Sequence, residues 1–225
     1  MNLLGLETSA AIGSVALATN AGVLVREIGS PREQTDQLIK HTDELLAEAG
    51  LGLADLAGIA FGRGPGSFTG LRVSAAVAQG LSAVNAIPVL PVSSLLCLAE
   101  RVWREHGCER ALVCIDAHMG EVYSAETECR AGVVSIVGAE RLSPPQDVAV
   151  PEGSGWWAVG NGFASHADAL ATAANAAARV LLNVTPSAVD LFPQARRDLG
   201  AGRAVAASAA LPVYLRGETA WKRTS

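Results

Sequence analysis

Leu3-Leu4-Gly5-Leu6-Glu7-Thr8-Ser9-Ala10-Ala11-Ile12-Gly13-Ser14-Val15-Ala16-Leu17-Ala18 opens the chain, and its plan returns at Ala111-Leu112-Val113-Cys114-Ile115-Asp116-Ala117-His118-Met119-Gly120-Glu121-Val122-Tyr123. In each copy an apolar run of strand character ends in a carboxylate, Glu7 or Asp116, and a glycine, Gly13 or Gly120, leads into the next run. The likeness is one of plan rather than of letters, and it predicts an internal structural duplication.

Outward from the first copy, the turn residues Thr19-Asn20-Ala21-Gly22 lead into a third strand, Val23 to Ile28. Ser30-Pro31-Arg32-Glu33 then offers a helix cap, a proline at the first helical position and a glutamate three residues after the cap. Leu38, Thr42, Leu45, Leu46 and Ala49 follow at helical spacing, and Gly50 supplies a stop. Leu56 to Phe61 reads as a strand, Thr69 to Val84 as a helix, and Ile87 to Val92 as a strand; Ser93-Ser94 opens a further helix ending at Gly107. From Arg110 the order begins again, with strands at Ala111 to Asp116, Glu121 to Thr127 and Val133 to Val137, a helix start at Ser143-Pro144-Pro145, and a strand from Trp156 to Gly160. The Ala-rich segment after Gly162 is read as a helix, a short strand around Val180 to Leu182, and a helix from Pro186. Two tandem βββαβαβα units describe an α/β, actin-like (ASKHA) architecture, two ribonuclease-H-like halves facing each other across a cleft. The break near His106 to Arg110 divides the chain into residues 1–106 and 107–225, with one continuous α/β domain as the competing organisation.

Half of the 225 residues are apolar, so the chain can bury a large core. Its 17 basic and 22 acidic residues give a net charge of -5, which leaves the phosphate attraction of nucleic-acid binding without a source and argues against direct nucleic-acid binding by this chain alone. The opening residues carry no Lys or Arg before Glu7, unlike a signal peptide, and the Ala-rich stretch is interrupted by His166, Asp168, Asn175 and Arg179, unlike a membrane helix. Four cysteines without C-x-x-C spacing fit a reducing compartment, so a soluble cytoplasmic protein is expected.

The strongest local feature is Gly62-Arg63-Gly64-Pro65-Gly66-Ser67-Phe68-Thr69-Gly70-Leu71-Arg72, between a strand and a helix. Its glycines and the free amides of the helix start can cradle an anion, but the loop lacks the spacing and the lysine of a P-loop. A conformational role, presenting Phe68 and Arg72 to a partner or to the second half, competes with that. The following helix carries small residues at Gly70, Ser74 and Ala78 and again at Ala76 and Gly80, which suits close approach of another helix or packing on its own sheet. Glu7 with Thr8-Ser9, and Asp116 with the turn Gly160-Asn161-Gly162, are the candidate walls of a nucleotide cleft in which the two carboxylates would hold Mg²⁺ through water. Ala117-His118-Met119 supplies no hydroxyl, so half of that clamp is degenerate, and strand-end acids are also often merely solvated. His41, His106, His118 and His166 lie far apart in sequence, so no metal site is expected, and Ser67 is not set in a nucleophile elbow.

The segment Phe61 to Arg72 resembles the signature of the TsaB (YeaZ) family. Pro31-Arg32-Glu33, Val77 to Leu81, Ile115 to Tyr123, Val159 to Gly162, Pro212 to Arg216 and Ala220-Trp221 extend the resemblance along the chain, leaving out about 164–211. The resemblance implies an actin-like fold and a non-catalytic scaffold or dimerisation subunit. Such subunits serve the transfer of threonylcarbamoyl to the adenosine beside the anticodon of tRNAs that read codons beginning with A. In that family catalysis belongs to the paralogue TsaD, which holds a metal through an H-x-x-x-H pair, and the ATPase TsaE joins the complex; tRNA is met only through the assembly. Pairing with the TsaD-like subunit runs through the two helices of the first half, here Glu33 to Ala49 and Thr69 to Val84, with Leu38, Thr42, Leu45, Ala49, Gly70, Ser74 and Ala78 as the expected face. A homodimer through the same helices is possible, no membrane contact is implied, and no cofactor is expected, with ATP or ADP left open. Two positions depart from the family pattern: Glu7-Thr8-Ser9 stands where Asp-Thr-Ala-Thr is commoner, and Gln34 where many relatives have His. A stand-alone ATP-dependent enzyme and a glycoprotease-like metallopeptidase are the alternatives.

Overall fold

The computed structural model describes residues 1–216; the Ala220-Trp221 pair lies outside them. The first sheet is formed by β1 (Leu3–Glu7), β2 (Gly13–Ala18), β3 (Val23–Ile28), β4 (Gly58–Gly64) and β5 (Val89–Ser93) in the order β3-β2-β1-β4-β5. β1, β2 and β3 form an antiparallel meander, and β4 and β5 run parallel to β1. Parallel neighbours need a crossover, and α1 (Gln34–Ala49) and α2 (Phe68–Asn85) supply the two that this sheet requires. α3 (Ser94–His106) leads into the second sheet, with β6 (Arg110–Asp116), β7 (Val122–Arg130), β8 (Val133–Ser143), β9 (Trp157–Val159) and β10 (Arg179–Leu181) ordered β8-β7-β6-β9-β10. Strand order and directions repeat those of the first sheet, which is the duplication that the sequence plan predicted and the actin-like pairing of two ribonuclease-H-like halves.

The second half is a reduced copy. The helix expected from Ser143-Pro144-Pro145 is replaced by a single 3-10 turn, Pro145–Asp147, because β8 runs on to Ser143 and the following Pro151, Gly153 and Gly155 cannot sustain a helix. The crossover between β9 and β10 is split into α4 (Gly162–Ser165) and α5 (Ala171–Ala176), and the last helix, α6 (Phe192–Gly200), starts later than the expected Pro186.

Alternation along the strands sorts the core into layers. Leu4, Leu6, Val15, Leu17 and Phe61 face Leu38, Leu45 and Ala78 of α1 and α2. The opposite face, with Leu3, Ala16, Ala60, Leu90 and Val92, is covered by Ala188, Leu191, Phe192 and Ala195, which come from the end of the chain. Gly5 permits this return, since a Cβ there would stand 2.8 Å from the Ala188 carbonyl oxygen. Conversely Leu95, Leu98, Ala99 and Val102 of α3 pack on Ala111, Val113 and Val159 of the second sheet. Each half is thus closed by a helix that lies across the 106/107 boundary in sequence.

The last of the described residues, from Ala210 to Arg216, form an irregular strap. Gln79 Nε2 donates to Ala210 O (2.9 Å), the Val213 amide donates to Arg63 O (2.8 Å), and Arg216 pairs with Glu121 of the second half (2.6 Å).

Candidate functional site

The end of β1 and the loop before α2 lock into each other. The Glu7 carboxylate has no exposure; the Ser9 amide donates to its Oε1 (2.6 Å), while Oε2 is buried without a partner. Burial pushes the Glu7 carboxyl above the usual range, against the pull of the Ser9 amide and of the neighbouring polar groups of Ser9, Ser94 and Thr8, which favour the charged form. Thr8 Oγ1 donates to Gly70 O (2.7 Å), and the Ser67 amide donates to Ser9 O (2.8 Å). The glycines of the signature loop exist for this contact: a Cβ on Gly62 would lie 2.1 Å from Glu7 Oε2, on Gly66 2.5 Å from Ser9 O, and on Gly70 1.8 Å from Thr8 O. Gly64 adopts φ +103°, and Pro65 beside it is buried. Ser67 caps α2 by accepting from the Gly70 amide (3.3 Å). Arg63 leaves the loop sideways to pair with Glu140 of β8 (2.8 Å), and Ser93 Oγ also donates to Glu140, so the loop is tied to the second half.

These contacts place Glu7, Thr8 and Ser9, the residues expected to form a phosphate wall, inside the protein. All three are buried, the Thr8 hydroxyl and Ser9 amide donate to protein oxygens, and the Ser9 hydroxyl has no partner.

The opposite candidate wall assembles separately. Asp116 accepts from the His118 amide (2.9 Å), His166 Nε2 lies 3.1 Å from its Oδ1, and the Asp116 amide donates to Asn161 Oδ1 (3.0 Å). Burial pushes the Asp116 carboxyl up, but the His118 amide, the His166 hydrogen bond and both imidazoles outweigh it and hold the carboxyl below the usual range. Gly160 and Gly162 serve packing: Cβ atoms there would come 2.2 Å and 3.0 Å from Cys114 O. Glu7 and Asp116 share no hydrogen bond or ion pair. Among the described residues no group of three or more His, Cys, Asp or Glu is arranged to hold a metal ion.

The helix pair of the first half presents a different surface from the expected one. Leu38, Thr42, Leu45, Gly70, Ser74 and Ala78 are buried against the first sheet and Ala49 is half-buried, so the apolar stripe named from periodicity is the inward one. A stripe that repeats at helical spacing is selected first by the core it must fill. The outward surface is an apolar furrow of about 540 Å³ between α1 and α2, lined among others by Thr35, Ile39, Phe68, Arg72, Ala76 and Gly80. Of the small residues, Ala76 and Gly80 therefore face outward, and a Cβ on Gly80 would meet nothing within 4 Å. On the other flank of α2, Leu211, Pro212 and Tyr214 of the strap line a second furrow of about 450 Å³. Ile39 escaped the sequence reading, and so did the packing of the strap, whose residues Pro212 to Arg216 are marked only by the resemblance. Ile39 lies one position off the apolar stripe, its only signal, and the strap's partners are far away in the chain.

The family whose model matches residues 29–218 is described as TsaD: tRNA N6-adenosine threonylcarbamoyltransferase. The chain is 36% identical to the tRNA threonylcarbamoyladenosine biosynthesis protein TsaB of Escherichia coli (strain K12), covering 99% of this chain and 98% of that one. It is 33% identical to the protein of the same name from Haemophilus influenzae, covering 99% and 97%. The solved structure of YeaZ from Pseudomonas aeruginosa superposes with a TM-score of 0.86 at 37% identity, over 95% of this chain and 99% of that one. Among the described residues no helix is long and apolar enough to cross a membrane. With full-length likeness and the two-sheet fold in agreement, the chain belongs to the TsaB family of tRNA threonylcarbamoyladenosine biosynthesis proteins, within the wider family of the TsaD transferases.

Proposed function

We propose that this chain is the partner-binding, non-catalytic subunit of a bacterial complex that places threonylcarbamoyl on the adenosine beside the anticodon of tRNAs reading codons that begin with A. The observation that carries this is the exposed apolar furrow along α1 and α2, on a molecule whose β1–β2 turn is sealed by its own signature loop. A furrow flanked by helices with small residues suits a helical partner, because small side chains let helix axes approach closely. The occupant is a TsaD-like subunit. The match to the TsaD family model covers α1 and α2, so a relative with a comparable helix pair can meet this face in quasi-symmetric fashion. A TsaE-like ATPase joins the resulting pair, and tRNA is engaged through the assembly, consistent with the net charge of -5. No nucleotide is held at residues 7–9, and the chain works in the cytoplasm.

Reconstitution tests this. Purified TsaD-like subunit, TsaE-like ATPase and the adenylate-forming enzyme are incubated with ATP, threonine, bicarbonate and unmodified tRNA, with and without the chain. Modified adenosine is expected only when the chain is present, with no ATP consumed and no tRNA modified by the chain alone. Equal modification in its absence refutes the proposal. Glu7→Gln and Asp116→Asn variants are expected to support modification within about threefold of the native chain, less than about 1 kcal/mol.

A further inference from the structure

We infer that Arg72 is the charge by which the outer face selects its partner, and that the partner presents a carboxylate to it. The inference rests on the pairing reading proposed above and names its chemistry. Arg72 stands where the two furrows meet: it lines both, together with Ala76, and it is the single charged side chain lining either of them among the described residues. Its guanidinium carbon lies 3.8 Å from the centre of the Phe68 ring and 5.9 Å from that of Tyr214, and the two rings are 5.5 Å apart. Its Nε donates to the Tyr214 hydroxyl at 3.1 Å, which fixes one edge of the guanidinium. The Nη edge has no hydrogen-bond acceptor and no carboxylate partner among the described residues.

Three consequences follow from this geometry. Stacking and the Nε bond hold the side chain in place in the free molecule, so less rotamer freedom is lost when a partner docks. A partner that covers both furrows must also cover Arg72, and a guanidinium stripped of water without a counter-charge is strongly unfavourable. The Nη edge offers paired donors, and the group that matches them in charge and shape is a carboxylate. Phe68 and Tyr214, 44% exposed each, then act as positioning residues beside the charge. This assigns the strap a purpose in recognition, since it delivers Tyr214 from the far end of the chain to α2.

Calorimetric titration of the purified TsaD-like subunit into the full chain, at low and at high salt, tests the inference. Arg72→Gln is expected to weaken binding by about tenfold or more and to remove most of its salt dependence. Arg72→Lys is expected to recover part of the affinity, and Tyr214→Phe to cost a few-fold. Arg72 is exposed, so unchanged thermal melting should accompany these losses. Ile39→Asp serves as the control on the apolar furrow. If Ile39→Asp abolishes binding while Arg72→Gln stays within about twofold with the same salt dependence, the role of Arg72 is overturned and the pairing reading stands. If neither variant matters, the pairing reading itself falls. If Arg72→Gln alters self-association in sedimentation but leaves binding of the TsaD-like subunit untouched, the carboxylate belongs to a second copy and the assignment is overturned.

Discussion

Glu7 ends β1 with its carboxyl wholly enclosed, one oxygen held by the Ser9 amide and the other facing Gly62 without a partner. Burial raises its pKa above that of an exposed glutamate, so the folded state binds a proton more tightly than the unfolded chain does. The stabilisation this provides is complete below the unfolded pKa and is lost as pH climbs from the ordinary glutamate value through the folded one. Across that window each pH unit removes at most about 1.4 kcal/mol, or about 3–5 °C in Tm for a chain of this size. Glu7→Gln keeps the acceptor for Ser9 and carries no charge, so its Tm should be higher than that of the native protein at pH 8 and closer to it at pH 5. Parallel Tm curves for the two proteins across that range would show that Glu7 does not titrate there on unfolding. The residue was readable in the sequence as a strand-end acid, and Thr8-Ser9 as a source of hydroxyls. What could not be read was that the Thr8 hydroxyl donates to Gly70 O, some 60 residues on, and that the Ser9 hydroxyl is buried without a partner, because the consumer of a hydrogen bond is fixed by tertiary approach and not by spacing.

At the scale of elements, periodicity located α1 and α2 to within one or two residues and picked out their apolar stripes, but it assigned those stripes to a partner, whereas a partner face is set by what remains after the core is filled. Leu45 and Ala78 have no exposure. A carboxylate at Leu45, or an indole at Ala78, therefore attacks the first core layer and should cost more than about 3 kcal/mol of stability. Loss of pairing by such variants would say nothing about an interface. Ile39→Asp and Ala76→Trp place the same charge and bulk on the exposed furrow and should leave the melting temperature within about 2–3 °C of the native value. Gel filtration with the TsaD-like subunit should then separate the two classes: folded but unpaired for the outward variants, unstable for the inward ones. Normal co-elution of well-folded Ile39→Asp and Ala76→Trp chains would remove the furrow from the interface. The second half shows the limit of pattern reading from the other side. Its strands were legible, while the missing helix after β8 was not, since Ser143-Pro144-Pro145 is a sound helix start that β8 absorbs into its last residue.

Over the whole molecule the two sheets repeat one another, yet the helices that close them are exchanged along the chain. α3 belongs to the first repeat in sequence and packs on the second sheet, while residues 188–195 come from the second repeat and pack under the first. The two crossing segments are joined by ion pairs, Arg104 with Asp190 at 2.7 Å and Arg197 with Glu100 at 2.9 Å. Both carboxylates are buried, and burial pushes each up in pKa against the pull of its arginine, so the pairs are worth more as fixed junctions than as sources of stability. The Arg63–Glu140 pair and the strap to Glu121 add two further ties between the halves. A cut near the sequence boundary at 106/107 therefore leaves neither product with a complete core: the first lacks Ala188, Leu191 and Phe192 over its sheet, and the second lacks Leu95, Leu98 and Val102. Residues 1–106 and 107–225 made separately should show no cooperative thermal transition, should recover one when mixed or co-expressed, and the intact chain should melt in a single step. A dispersed amide spectrum and a cooperative melt from residues 1–106 alone would mean that the returning segment is dispensable. The first half would then be a folding unit in its own right, able to carry the α1–α2 face without the rest of the chain.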